Sequence, residues 1–236
     1  YIIHPNALAG VTLSAEEGVY TGNAQDPTRV VTTVHDLDFA LVEGTHYIVS
    51  VTKDGQPVSE IKNGGSYQIT VTSATGNITG SVTAAYTVKK ADLSALSADA
   101  SDIFYGQKLS DSTLSGAVAR ENSSDVVTGS WSWKAPDTQP AASGNYEAVF
   151  TPDDTESYNT LTLQVPLIVN KATPKLIVGI DDSNAVPGGE ILLTARDILN
   201  PYDESLPVIG AYTLYWKVGD TGPSGIMSPR LPIPQS

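Results

Sequence analysis

The chain has 236 residues, of which 40% are hydrophobic and only 17% charged, with a net charge of −13 and no cysteine. A field of that sign repels nucleic-acid phosphate and anionic lipid, which sets both aside as partners. The missing thiols exclude a disulfide framework, a zinc–thiolate centre and a thiol nucleophile.

The chain opens Tyr1-Ile2-Ile3-His4, with neither Met nor a basic region leading into an apolar one. That start reads as a mature or excised fragment whose signal and anchor lie elsewhere. Lys53-Asp54-Gly55-Gln56 follows, and its Asp-Gly pair favours a tight hairpin because both residues tolerate positive φ. Asn63-Gly64-Gly65 marks a turn, after which Tyr67, Ile69 and Val71 alternate with Ser66, Gln68, Thr70 and Thr72. Val82, Ala84, Tyr86 and Val88 form the next ladder. Beyond the Ser143-Gly144-Asn145 turn comes the longest one, Leu161, Leu163, Val165, Leu167 and Val169. After Pro187-Gly188-Gly189, two further ladders are expected at Ile191, Leu193 and Ala195 and at Tyr212, Leu214, Trp216 and Val218. Alternation at period two is the mark of a strand with one buried face, and antiparallel sheets with one wet side produce it. No stretch carries a helical stripe or approaches the length of a membrane span. Short strands separated by turns predict a β-sandwich or barrel.

The sequence also repeats. Gly65-Ser66-Tyr67-Gln68 returns as Gly144-Asn145-Tyr146-Glu147, and Val88-Lys89-Lys90-Ala91 as Val169-Asn170-Lys171-Ala172, in both cases roughly 80 residues later. Three modules are expected, at residues 1–89, 90–171 and 172–236. The last lacks a closing ladder, and truncation is the favoured explanation. About 80 residues suffice for one small core. Packed as one body, the chain would have a radius of gyration of about 18 Å. Three modules lined up would instead reach about 90–100 Å, given strands of roughly 30 Å.

The stretch from Ile103 to Pro174 resembles the tandem immunoglobulin-like repeats of large bacterial cell-surface proteins. The motifs are Tyr105-Gly106-Gln107-Lys108-Leu109, Gly129-Ser130-Trp131-Ser132-Trp133-Lys134, Phe150-Thr151-Pro152-Asp153, Tyr158-Asn159 and Val169-Asn170-Lys171-Ala172-Thr173-Pro174. The first module is similar to a sister type, the glycine-rich mostly-β (MBG-like) repeat, through Tyr20-Thr21-Gly22-Asn23-Ala24-Gln25, Leu41-Val42-Glu43-Gly44-Thr45-His46-Tyr47 and Gly76-Asn77-Ile78-Thr79-Gly80-Ser81-Val82. The resemblance implies tandem immunoglobulin-like β-sandwich modules, all-β, in an extracellular, wall-associated spacer without catalytic residues or cofactor.

Candidate chemistry is sparse. His4, His35 and His46 are too far apart in sequence for a metal pair, and no nucleophile elbow or phosphate loop occurs. Acidic pairs stand at Glu16-Glu17, Asp153-Asp154 and Asp181-Asp182. Asp153, Asp154 and Glu156 are the calcium candidates, weighed against a solvated turn without EF-hand spacing. Trp131 and Trp133, two apart, face one side of a strand, either as a sugar-stacking platform or as core anchors. Lys90 and Asn170 have the general placement of an isopeptide pair, with exposed linker residues as the plainer reading. Lys89–Asp92 and Lys171–Pro174 are the expected short linkers. The expected partner, if any, is a host or cell-wall glycan or protein met through the parent molecule, and the chain itself is expected to be monomeric.

Overall fold

The computed structural model describes residues 5–181 and 192–206. His4, Asp182, the Pro187 turn, Ile191, the Tyr212–Val218 ladder with Trp216, and the end of the third module lie outside the described residues. Within them the protein is all-β, apart from one turn of 3-10 helix at Leu109–Asp111.

The first 89 residues carry β1 (Asn6–Leu13), β2 (Glu17–Val19), β3 (Arg29–Thr33), β4 (Tyr47–Lys53), β5 (Gln56–Val58), β6 (Gly65–Ser73), β7 (Ile78–Thr79) and β8 (Ser81–Lys89). Next come β9 (Leu93–Ala95), β10 (Asp99–Ala100), β11 (Ile103–Phe104), β12 (Leu114–Ser115), β13 (Val118–Arg120), β14 (Gly129–Trp133), β15 (Gly144–Pro152), β16 (Leu161–Leu167) and β17 (Val169–Asn170). β18 (Lys175–Asp181) and β19 (Leu192–Leu199) follow. The chain groups into two compact units. Of the described residues, one holds those up to Asp99 with Leu114–Lys134 and Glu147–Val165; the other holds Ala100–Thr113, Ala135–Tyr146 and those from Pro166. The division falls inside the second sequence repeat.

In the first unit, a five-stranded sheet runs in the order β2-β8-β6-β4-β5 and a three-stranded one in the order β3-β1-β7. The β2–β8 and β1–β7 pairs are parallel, and the other pairs in these two sheets are antiparallel. Alternation decides which face is dry: Tyr67, Ile69 and Val71 of β6 are buried, while Ser66 and Gln68 are exposed and Thr70 is half-buried. Leu8 of β1 and Ile78 of β7 pack with Val71 of β6 and Tyr47 of β4, so the two sheets cover each other's inner faces. Ile61, Tyr67, Ile69, Tyr86 and Val88 continue that interior. Each fully buried aliphatic contributes about 1.5–3 kcal/mol. The β4–β5 hairpin turns at Asp54 and Gly55, with φ of 51° and 77°, and pairs Lys53 with Gln56.

A separate cluster lies beyond residue 90. Leu93, Val118, Val127 and Phe150 are buried together, with Trp131, Tyr158 and Leu161 packed against them. β14 pairs antiparallel with β15 and β13 with β9.

In the second unit β11 pairs parallel with β17, and β18 antiparallel with β19 across a bulge at Ile177/Val178. Ile103, Leu109 and Leu167 are buried there. The long ladder expected from Leu161 to Val169 is divided: β16 ends at Leu167 and β17 begins at Val169, with Ile168 turned outward and 54% exposed. Side-chain alternation alone cannot show where a strand changes pairing partner.

Candidate functional site

Trp131 and Trp133 project from β14 onto the same face, as their spacing requires, and that face is the inner one. Trp133 is only 6% exposed. Trp131 is half-buried, stands edge-on to Phe150 at 5.2 Å between ring centres, and donates its indole N–H to the Gly116 carbonyl at 3.4 Å. In the ladder Trp131 lies opposite Phe150 and Trp133 opposite Ala148. Both rings thus turn toward the second repeat's interior, Trp133 buried and Trp131 half-buried.

The acidic turn has a different occupation. Asp154 accepts the backbone N–H groups of Glu156 and Ser157 at 3.1 and 3.0 Å, so its carboxylate folds the loop back on itself. Glu156 forms an ion pair with Lys53 of β4, which also lies 5.7 Å above the Tyr67 ring. Asp153 is exposed. Among the described residues no three His, Asp or Glu side chains are placed to hold a metal ion.

The loop ends on the linker between the first two repeats. Ala91, 3% exposed, donates its N–H to the Ser157 carbonyl at 2.8 Å and accepts from the Asn159 N–H at 3.0 Å. The Asn159 side chain donates to the Asp92 carboxylate at 2.8 Å. Tyr158 meets Tyr20 edge-on at 5.2 Å. Burial, followed by the neighbouring Tyr20 hydroxyl, pushes the Tyr158 hydroxyl above its ordinary pKa.

The remaining candidates are dispersed. His35 is exposed, and His46 accepts the Val42 N–H on Nδ1 at 2.9 Å beside Phe39. Glu17 pairs with Lys89 at 2.5 Å, and Glu16 is exposed. Lys90 is exposed, whereas Asn170 donates to the Asp102 carboxylate at 3.0 Å.

The surface also carries a concavity that no sequence motif marks. It lies between edge strand β3 and the 36–41 loop, encloses about 360 Å³, and is lined among others by Val31, Leu37, Phe39 and Tyr47. Arg29 on its rim is already held by Asp26 at 2.5 Å and Glu43 at 3.0 Å. The loop follows β3 almost directly in sequence, but it carries no motif, so nothing in the pattern announces a concavity there.

No protein-family model matches the chain, and no curated protein does. Among solved structures, the chain is similar to three N-terminal domains of the highly immunogenic outer capsid protein Hoc of bacteriophage RB49, at 14% identity and a TM-score of 0.25. The match covers 75% of this chain and 61% of that one.

Proposed function

We propose that this chain is a non-catalytic spacer in a bacterial cell-surface protein, built from tandem immunoglobulin-like β-sandwich modules and working outside the cell. The observation that carries the reading is that residues up to Val88 and residues from Leu93 onward enclose separate apolar clusters, with a hydrogen-bonded Ala91 between them. A spacer needs repeats that fold on their own cores and connections that do not swing freely. A second feature supports the immunoglobulin-like reading. Tyr67 donates its hydroxyl to the Asn63 carbonyl just before β6, and Tyr146 does so to Ala142 beside the start of β15. A tyrosine closing back onto upstream backbone at a strand entry is a hallmark of that fold.

Pulling single molecules by their ends tests the proposal. Repeats with private cores unfold one at a time, and each event releases on the order of 250 Å of chain, since about 80 residues extend at roughly 3.5 Å apiece before the folded length is subtracted. A single all-at-once rupture overturns the spacer reading. The alternative, an adhesin or carbohydrate-binding module using Trp131, Trp133 and loop residues, requires a Trp fluorescence change with some member of a broad glycan panel.

A further inference from the structure

Two places where successive repeats meet share a construction that neither the composition nor the motifs announce. Gly64, in the turn before β6, lies against the loop after β15. A Cβ there would overlap the Glu156 carbonyl oxygen and come within 3.2 Å of the Ser157 Cα. Ser157, 0% exposed, accepts the Gly64 N–H on its hydroxyl at 3.2 Å. Beside this contact stand the Tyr20–Tyr158 ring pair and the Lys53–Glu156 ion pair.

The second place repeats the plan with different residues. Gly106, following β11, has φ of +101°, and a Cβ on it would lie 2.7 Å from Nδ2 of Asn200, the residue after β19. Asn200 is 2% exposed and donates from Nδ2 to the Tyr105 carbonyl at 2.9 Å. Its Oδ1 accepts the Tyr202 N–H at 2.9 Å. Phe104 and Tyr202 stack at 5.6 Å with their planes 13° apart, and Gln139 bonds both the Gly106 carbonyl and Asp203, at 3.2 and 2.7 Å.

We infer that these two contacts are a matched pair of junction locks, in which a side-chain-free position on one repeat receives a buried polar side chain of the next and an aromatic pair flanks the seat. A buried hydroxyl or amide left without its partner costs about 1–3 kcal/mol, so Ser157 and Asn200 each favour one seating over tilted ones in which they would lose their bond. Glycine supplies the specificity, because any side chain at Gly64 must displace backbone rather than a flexible tip. Repeat order follows from this: a following repeat seats only on a neighbour that offers the bare position. The inference deepens the spacer reading and rests on it for biological meaning, but its geometry is tested separately.

The chain has no cysteine, so paired cysteines introduced by substitution take spin labels cleanly. Thr83→Cys with Ser132→Cys, both at exposed positions, spans the first contact, and Ser110→Cys with Lys175→Cys spans the second. Electron–electron distance measurements should give one narrow distribution for each pair. Gly64→Val should broaden or shift the first and leave the second unchanged; Asn200→Ala should do the reverse. If Gly64→Val fails to fold, Ser157→Ala, which removes only the hydroxyl, decides the first contact. Broad distributions in the unsubstituted background, or distributions indifferent to these changes, overturn the locks. Such a result would leave stepwise unfolding under force, and with it the spacer reading, intact.

Discussion

Tyr67 and Tyr146 occupy corresponding places in two successive repeats and close the same bond, each hydroxyl donating over 2.8 Å to the carbonyl four residues back. The Gly-x-Tyr motif that carries both is visible in the sequence, but the bond gives it a reason. It holds the chain reversal that feeds the central strand of each repeat. The two sites differ in burial: Tyr67 is 4% exposed, whereas Tyr146 is half-buried.

Replacing these tyrosines by phenylalanine is expected to separate the sites by burial. Tyr67→Phe leaves the Asn63 carbonyl without its partner and should cost about 1–2 kcal/mol, while Tyr146→Phe should cost about 1 kcal/mol or less because water can take the vacated place. Urea unfolding followed for each repeat, with slopes unchanged, is the check. Equal losses would contradict the burial argument.

Core truncations should act locally. Ile69→Ala, at a position 0% exposed, should destabilise by about 2–5 kcal/mol, and Phe150→Ala by about 3–5 kcal/mol. Because the two side chains belong to different clusters, amide exchange should accelerate in the repeat carrying the substitution and remain slow in the other. Simultaneous loss of protection in both would mean a shared interior.

The tryptophans should behave as core residues. Trp133→Ala is expected to cost about 3–5 kcal/mol, with Trp131→Ala costing less because its ring is only half-buried. With Trp216 replaced by phenylalanine, emission from the pair should be blue-shifted, with at least the Trp133 component poorly quenched by iodide. Efficient quenching of both rings in that folded variant would favour the sugar-platform reading.

Alkaline pH should loosen the contact at Tyr158. Its hydroxyl is held above the ordinary 10.0, first by burial and then by Tyr20, so the folded state keeps the proton more tightly than the unfolded state does. That contribution is fully present below pH 10 and is lost as pH rises through the folded value. Tyr158→Phe should therefore show a shallower alkaline decline in stability. Some decline will persist, because Tyr86 is raised by burial as well. An unchanged decline in the variant would remove Tyr158 from the account.

The strand faces were legible in the sequence because burial on one side leaves a period-two trace, and β6, β8 and β16 follow it residue by residue. The Asp54-Gly55 hairpin was legible for a similar reason: its positive φ values select residue types directly. In the sequence Gly64 is marked only as turn punctuation. What its missing side chain accommodates is a loop some ninety positions away, and local spacing carries no record of that. Asp153, Asp154 and Glu156 looked like loose oxygen donors, yet Asp154 spends its carboxylate on local backbone and Glu156 meets a lysine of the preceding repeat. Which way a polar side chain is used depends on neighbours that fold topology supplies.

Ala91 has one more implication, for how such chains are cut and recombined. Both halves of its backbone polarity bond to Ser157 and Asn159, so in bonding terms it belongs to the second repeat although it reads as connector. A gene fusion made ahead of it transfers that repeat with its outermost bridge intact. An N-terminal truncation placed after it leaves the Ser157 carbonyl and the Asn159 N–H without these partners, and libraries of N-terminal deletions should therefore tolerate the first breakpoint and reject the second.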